Sequence, residues 1–158
     1  MGEFLKFFFQ SLLVIGGWYI VNKLSVTRDM DKSRRDMVAK SADSLIEAAS
    51  KILTKAREYH LEDRNESKEI ELKMELQDCS QRINELDIIC SDKSIITRSR
   101  SCFTELRKAI TLEHFEDEHT QPLTNKDLQL QKIADAVLKT NRALLQMKYI
   151  QFSKDNAG

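Results

Sequence analysis

Between Phe7 and Leu24 the chain reads FFFQSLLVIGGWYIVNKL, and this apolar run constrains the fate of everything that follows it. Extended back to Phe4, the run covers 21 residues with Lys6 and Lys23 near its two ends. A helix rises about 1.5 Å per residue, so the segment would be roughly 31 Å long, the thickness of a bilayer's hydrocarbon core. Lys6 is placed to snorkel to one interface, and Trp18 and Tyr19 lie toward the other, where amphipathic rings partition. Three readings compete: a cleaved signal, a buried core helix and a membrane span. The start MGEFLK lacks a basic n-region, and VNKLSVTRD has no small-x-small cleavage site, which argues against the signal. Lys6 also stands where N-myristoylation needs Ser or Thr. Length and apolarity favour the span over the core helix.

Flanking charge sets the orientation of such a span. Lys6 alone precedes it, whereas Lys23, Arg28, Lys32, Arg34, Arg35 and Lys40 follow it. Basic residues stay on the cytoplasmic side, so the N-terminus is expected outside and the chain from about residue 25 inside. The chain has no net charge, but residues 1–40 hold seven Lys/Arg against four Asp/Glu, and the remainder 18 against 21. The positive excess therefore lies beside the apolar run. The expected organisation is one transmembrane anchor over 1–24 and a cytosolic helical bundle over 25–158. Gln10 is costly against lipid and should face another helix or a water-lined path. Gly16 and Gly17 would let two helices approach closely. A lone anchor with one tolerated Gln is the equal alternative.

The whole chain of 158 residues contains only four Gly and one Pro, too few for a chain of strands and tight turns. Val38, Ala42, Leu45, Ala49, Ile52, Ala56 and Tyr59 step by four and three, a heptad seam with small Ala layers. That helix should end near HLEDRNES. Leu72, Leu76, Cys79, Ile83, Leu86 and Cys90 repeat the stepping, and Ser91-Asp92 offers a break and an N-cap. A third helix carries Ile95, Ile96, Cys102, Phe103, Leu106 and Ile110. After a loop around Pro122, a last helix begins near Asn125 and carries Leu130, Ile133, Val137, Leu144 and Ile150. Each helix has one apolar face and is unstable alone, so the expectation is an all-α chain, a transmembrane helix followed by a bundle of about four helices with antiparallel neighbours. The three cysteines have no CxxC pairing and read as buried thiols in a reducing compartment.

One stretch has the residue types of a reaction. Arg107 and His114, with six residues between them, are nearly two turns apart on one helical face, beside Phe103 and Ile110. An Arg stabilises a phosphate's charge, and a His titrating near neutrality moves protons. Two such helices from two subunits would supply what a ribonuclease needs to drive a 2′-hydroxyl onto its own phosphodiester. The structural alternatives are a rim Arg107 paired with Glu105 or Glu113 and a His114 at a helix C-terminus. His60 and His119 read as surface residues. EHFEDEH, Glu113 to His119, has metal-ligand types, but its two His are five apart and off one face, so no metal site is expected. No phosphate-binding glycine loop or other cofactor motif is present, and no small-molecule cofactor is expected.

An R-x(4–6)-H pair on a helix of an all-α domain resembles the HEPN superfamily. Placed behind a single N-terminal span, the layout is similar to the membrane accessory proteins of type VI-B CRISPR loci, companions of an RNA-guided, RNA-cleaving effector. The resemblance implies a homo-oligomeric ring in the bacterial inner membrane, with spans around a pore that strengthens antiviral defence. It would set Gln10 toward the lumen, Gly16 and Gly17 in helix packing, and Arg107 and His114 at the HEPN motif. It also implies RNA or the effector as partners. HEPN ribonucleases usually carry a small polar residue directly after the Arg; here it is Lys108, which weighs against cleavage. The rivals are a membrane-tethered HEPN ribonuclease and a non-catalytic coiled-coil membrane adaptor.

Overall fold

The computed structural model describes residues 2–111, 115, 122–124 and 127–153, with side chains at 10, 12–111, 115, 122–124 and 127–150. Four helices follow one another: α1 (Gly2–Leu61), α2 (Glu66–Ile89), α3 (Lys93–Thr111) and α4 (Leu128–Ser153). Among the described residues there is no strand. The chain divides into two compact units, residues 1–36 and 37–158, and α1 contributes to both.

The second unit is an all-helical bundle, and its side-chain pairs give the topology. Lys55 of α1 meets Glu71 and Glu75 of α2, while Arg82, farther along α2, donates to the Ser44 hydroxyl at 2.7 Å. As α1 runs forward, α2 runs back. Lys93 of α3 pairs with Asp87 of α2 at 2.6 Å and Arg100 donates to Asn84 at 2.7 Å, so these two are antiparallel as well. Gln129 of α4 donates to the Ala109 carbonyl and Lys139 pairs with Glu105, again in opposite order. Lys148 then closes the ring of helices by pairing with Asp43 of α1 at 2.8 Å.

The core is assembled from the heptad seams. All seven seam positions of α1 from Val38 to Tyr59 are buried, as are all six of α2 from Leu72 to Cys90. Each helix contributes buried residues to one shared core, which is how amphipathic helices that are marginal alone in water become stable together. The breaks also have local causes. The Asn65 side chain accepts from the Ser67 and Lys68 amides at 3.0 and 3.3 Å, capping α2, and Glu66 and Glu69 complement its dipole. Asp92 accepts from the amide and hydroxyl of Ser94 at 3.1 and 2.6 Å and opens α3, as the Ser91-Asp92 break predicts. Before α4, the Asp127 carboxylate takes both the amide and the hydroxyl of Thr124. That turn moves the helix start to Leu128 from the expected Asn125. Cys102 is only half-buried and Ile150 is exposed, so neither is a core member.

The described part of the first unit, residues 2–36, is helical. Its apolar side chains are exposed: Leu12, Leu13, Val14, Ile15, Trp18, Tyr19, Ile20, Val21 and Leu24. Four of these are consecutive and therefore point in four directions about 100° apart, so no single face is apolar. Among the described residues no helix is long and apolar enough to cross a membrane. The side chains of Phe4 to Phe9 and Ser11, which open the apolar run, lie outside those residues. The expected span thus lacks support from the described helix by itself.

Candidate functional site

The α2 and α3 helices leave a cleft of about 720 Å³ between them. Gln77, Gln81 and Asn84 step by four and three along one edge of α2, flanking the buried Leu76 and Ile83. Arg107 and Thr111 face them from α3, and Phe115 follows just beyond. The register that sets Arg100 against Asn84 puts Arg107 level with Gln77, seven residues along each antiparallel helix. Arg107 comes directly after the buried Leu106 and three residues before the buried Ile110, so its side chain leaves the seam and is exposed.

The hydrogen bonds already made decide what the cleft can still offer. Asn84 accepts from Arg100 through its side-chain oxygen, which leaves its NH2 as the free half of the amide. Gln81 donates to Glu85 at 3.0 Å, which leaves its oxygen as an acceptor. The Arg107 carbonyl accepts from the Thr111 hydroxyl at 2.9 Å. No carboxylate among the described residues pairs with the Arg107 guanidinium: Glu105, one of the partners expected from sequence, lies 3.7 Å from Lys139 instead. Glu113, the other, lies outside the described residues.

Lys73 sits 3.0 Å from Glu69 and 5.5 Å above the Phe115 ring, close enough for a cation–π contact. Arg64 approaches the other oxygen of the same carboxylate at 3.5 Å. Glu69 is buried, and both Arg64 and Lys73 contact its carboxylate. Phe115 packs on Tyr59 at 5.0 Å, and Tyr59 meets the His60 ring edge-on at 5.2 Å. His60 is not the surface residue that the sequence implied: it is only 4% exposed. Its carbonyl accepts from the Leu123 amide at 2.7 Å, so the α3–α4 connection is tied over the end of α1.

The other expected site residues are dispersed. Gln10 is exposed on α1. Gly16 and Gly17 lie on the same helix, and a Cβ built on either meets nothing within 4 Å. His114 and His119, with the Glu113–His119 run apart from Phe115, lie outside the described residues. Sequence reasoning passed over the amide row of α2 and Lys73. The signal was present in the 4–3 stepping of Gln77, Gln81 and Asn84 beside the apolar seam, but its meaning depends on Arg107 arriving from another helix. Compared with protein-family models, curated proteins and solved structures, the chain matches none.

Proposed function

We propose that this protein is a single-pass, oligomeric membrane protein whose helical bundle lies in the cytosol and whose assembled spans disturb the membrane. The observation that carries the reading is the apolar surface of α1, exposed on every side from Leu12 to Leu24. A helix that is apolar all round belongs in a protein core or in lipid. The first unit contains no second element that could cover it. The apolar run of Phe4, Leu5 and Phe7 to Phe9 extends this surface to the length of a bilayer. The basic residues from Lys23 to Lys40 then favour a cytosolic bundle.

Oligomerisation draws on two features that a lone anchor does not need. Gln10 is a polar group in an apolar helix, and a lumen or a neighbouring helix would satisfy it. Gly16 and Gly17 offer a bare patch of backbone on which another span can pack. The antiviral setting and the RNA-guided effector as partner rest on the HEPN-like layout, with Lys108 favouring a non-cleaving role. A gene neighbourhood containing a CRISPR array and a large RNA-guided nuclease would support that setting.

The test combines detergent-purified mass with dye leakage in cells. Gln10→Leu should insert normally, since Leu is cheaper in lipid, and should reduce leakage by drying the path. A Cβ at position 17 meets nothing within 4 Å, so with Gly17→Leu a shift to smaller assemblies would report contact between chains. A wild type that is strictly monomeric or dimeric, or leakage unchanged by both substitutions, would contradict the pore and leave the adaptor reading.

A further inference from the structure

We infer that the outer face of α2 is a docking seam for one amphipathic helix of another protein. The inference stands apart from the membrane reading, because α2 lies wholly within the bundle. Ile70, Met74, Gln77, Gln81, Asn84 and Ile88 step by four and three, as the buried seam from Leu72 to Cys90 does, and each lies two residues before a member of it. Two residues are about 200° of turn, so this second stripe runs along the side of α2 opposite the core. All six residues are exposed, Ile70, Met74 and Ile88 by 56, 66 and 78%. The outward face of an amphipathic helix is normally where its charges lie. Charged residues are frequent in α2, yet none falls on this stripe. Glu71, Asp78 and Glu85 form a row along its edge instead. An uncharged stripe of this period with charges along its edge is the pattern by which one helix receives another.

The chemistry of the occupant follows from what the stripe offers. Ile70 and Met74 at one end and Ile88 at the other call for apolar residues. Between them, Gln77 makes no side-chain hydrogen bond among the described residues. The Asn84 NH2 is open because Arg100 holds its oxygen, and the Gln81 oxygen is open because its NH2 is given to Glu85. These groups fit an Asn or Gln in the middle of the partner's stripe, a pairing that sets the register between two helices. The two edges differ in charge. The acidic row lies on the α1 side, where Glu71 meets Lys55, and Arg107 stands across the cleft on the α3 side. The partner helix therefore carries basic residues along one edge and an acidic residue on the other. Ile70 to Ile88 is roughly 27 Å along a helix, so the partner spans about five turns. A second copy of this chain fits less well. Its own α2 keeps neighbouring helices at its sides and meets this one only ridge to ridge, and antiparallel pairing would set the two acidic rows against each other. A single helix can settle toward the cleft of about 720 Å³ that the three amides line.

The test uses the full chain in detergent with a photo-reactive benzophenone side chain at position 81 or, as a control, at position 138, where Leu138 is 54% exposed on α4. The probes are synthetic helical peptides of about 21 residues that share one Leu-and-Asn stripe and differ only at their edges. One carries Lys on one edge and Glu on the other, one carries Glu on both, and one carries Lys on both. The mixed peptide should half-saturate position 81 at roughly ten-fold lower concentration than either of the others, since like charges on facing edges oppose pairing. Position 138 should show no such preference. Met74→Glu puts a charge in the stripe and should raise the half-saturation about ten-fold, whereas Leu138→Glu should leave it unchanged. Arg107→Glu should transfer the preference to the peptide with Lys on both edges. Absence of labelling at position 81, equal half-saturation for the three peptides, or equal effects of Met74→Glu and Leu138→Glu would overturn the inference. An adduct at position 81 between two copies of this chain, formed without peptide, would also overturn it, in favour of self-association through α2.

Discussion

The three thiols differ in ways that matter at neutral pH. Cys79 is 2% exposed, and burial pushes its thiol up to about 11, so the reactive thiolate is scarce. Cys90 is buried, with its Sγ 3.7 Å from the Asp92 carbonyl. Cys102 is half-buried. Maleimide labelling of the folded protein at pH 7.5 (about one hour, excess reagent) should therefore modify Cys102 first, and Cys79 and Cys90 only after denaturant is added. Equal labelling of all three in the folded state would contradict the packing of the α2 seam. Asp87 allows a test with a definite sign. Hydrogen bonds from Lys93 first and Arg100 second hold its carboxyl below the ordinary value of 3.8. Above that value it is charged both folded and unfolded, and its pairing contributes in full; as pH falls through the lower folded value, that contribution is lost. Asp87→Asn should thus narrow the stability difference between pH 6 and pH 3, measured by urea unfolding of the full chain in detergent. An unchanged difference would mean that the Lys93 and Arg100 contacts do not hold in solution.

At the scale of elements, the seams were the most legible part of the sequence. Thirteen positions of α1 and α2 from Val38 to Cys90 were readable because a heptad step is a local pattern, and burial follows it one for one. Legibility declined where contacts come from elsewhere in the chain. Ile150 keeps the period but lies in the last turns of α4, where 37% of it stays exposed. His60 looked like a surface residue because nothing near it in sequence announces that Leu123 will hydrogen-bond to its carbonyl. The cleft was half-legible: Arg107 stood out, while the amides opposite it acquire meaning only through the α2–α3 register. The small layers of the α1 seam yield an element-scale prediction. Ala49 is 2% exposed, so Ala49→Leu must force three extra carbons into a filled layer. Overpacking of that kind costs about 1–3 kcal/mol. The midpoint of urea unfolding should fall accordingly with little change in slope. A neutral or stabilising Ala49→Leu would show that the seam is looser than the burial of its residues implies.

For the whole molecule, the two units make opposite demands on their surroundings. The bundle has its apolar seams turned inward, whereas residues 12–24 turn apolar side chains outward in every direction. Composition alone hinted at this split, since five of the ten Phe and Tyr residues and the single Trp fall within the first 24 positions. What composition could not reveal is whether the proposed spans associate, since a Cβ built at Gly16 or Gly17 meets nothing within 4 Å. The proposal of a membrane-embedded first unit is tested most directly by alkaline carbonate extraction of membranes from cells making the full chain. Carbonate strips peripheral proteins and leaves integral ones. The protein should remain in the membrane pellet after extraction at pH 11 and enter solution only when detergent is added; its release into the carbonate supernatant would contradict the span and, with it, the pore.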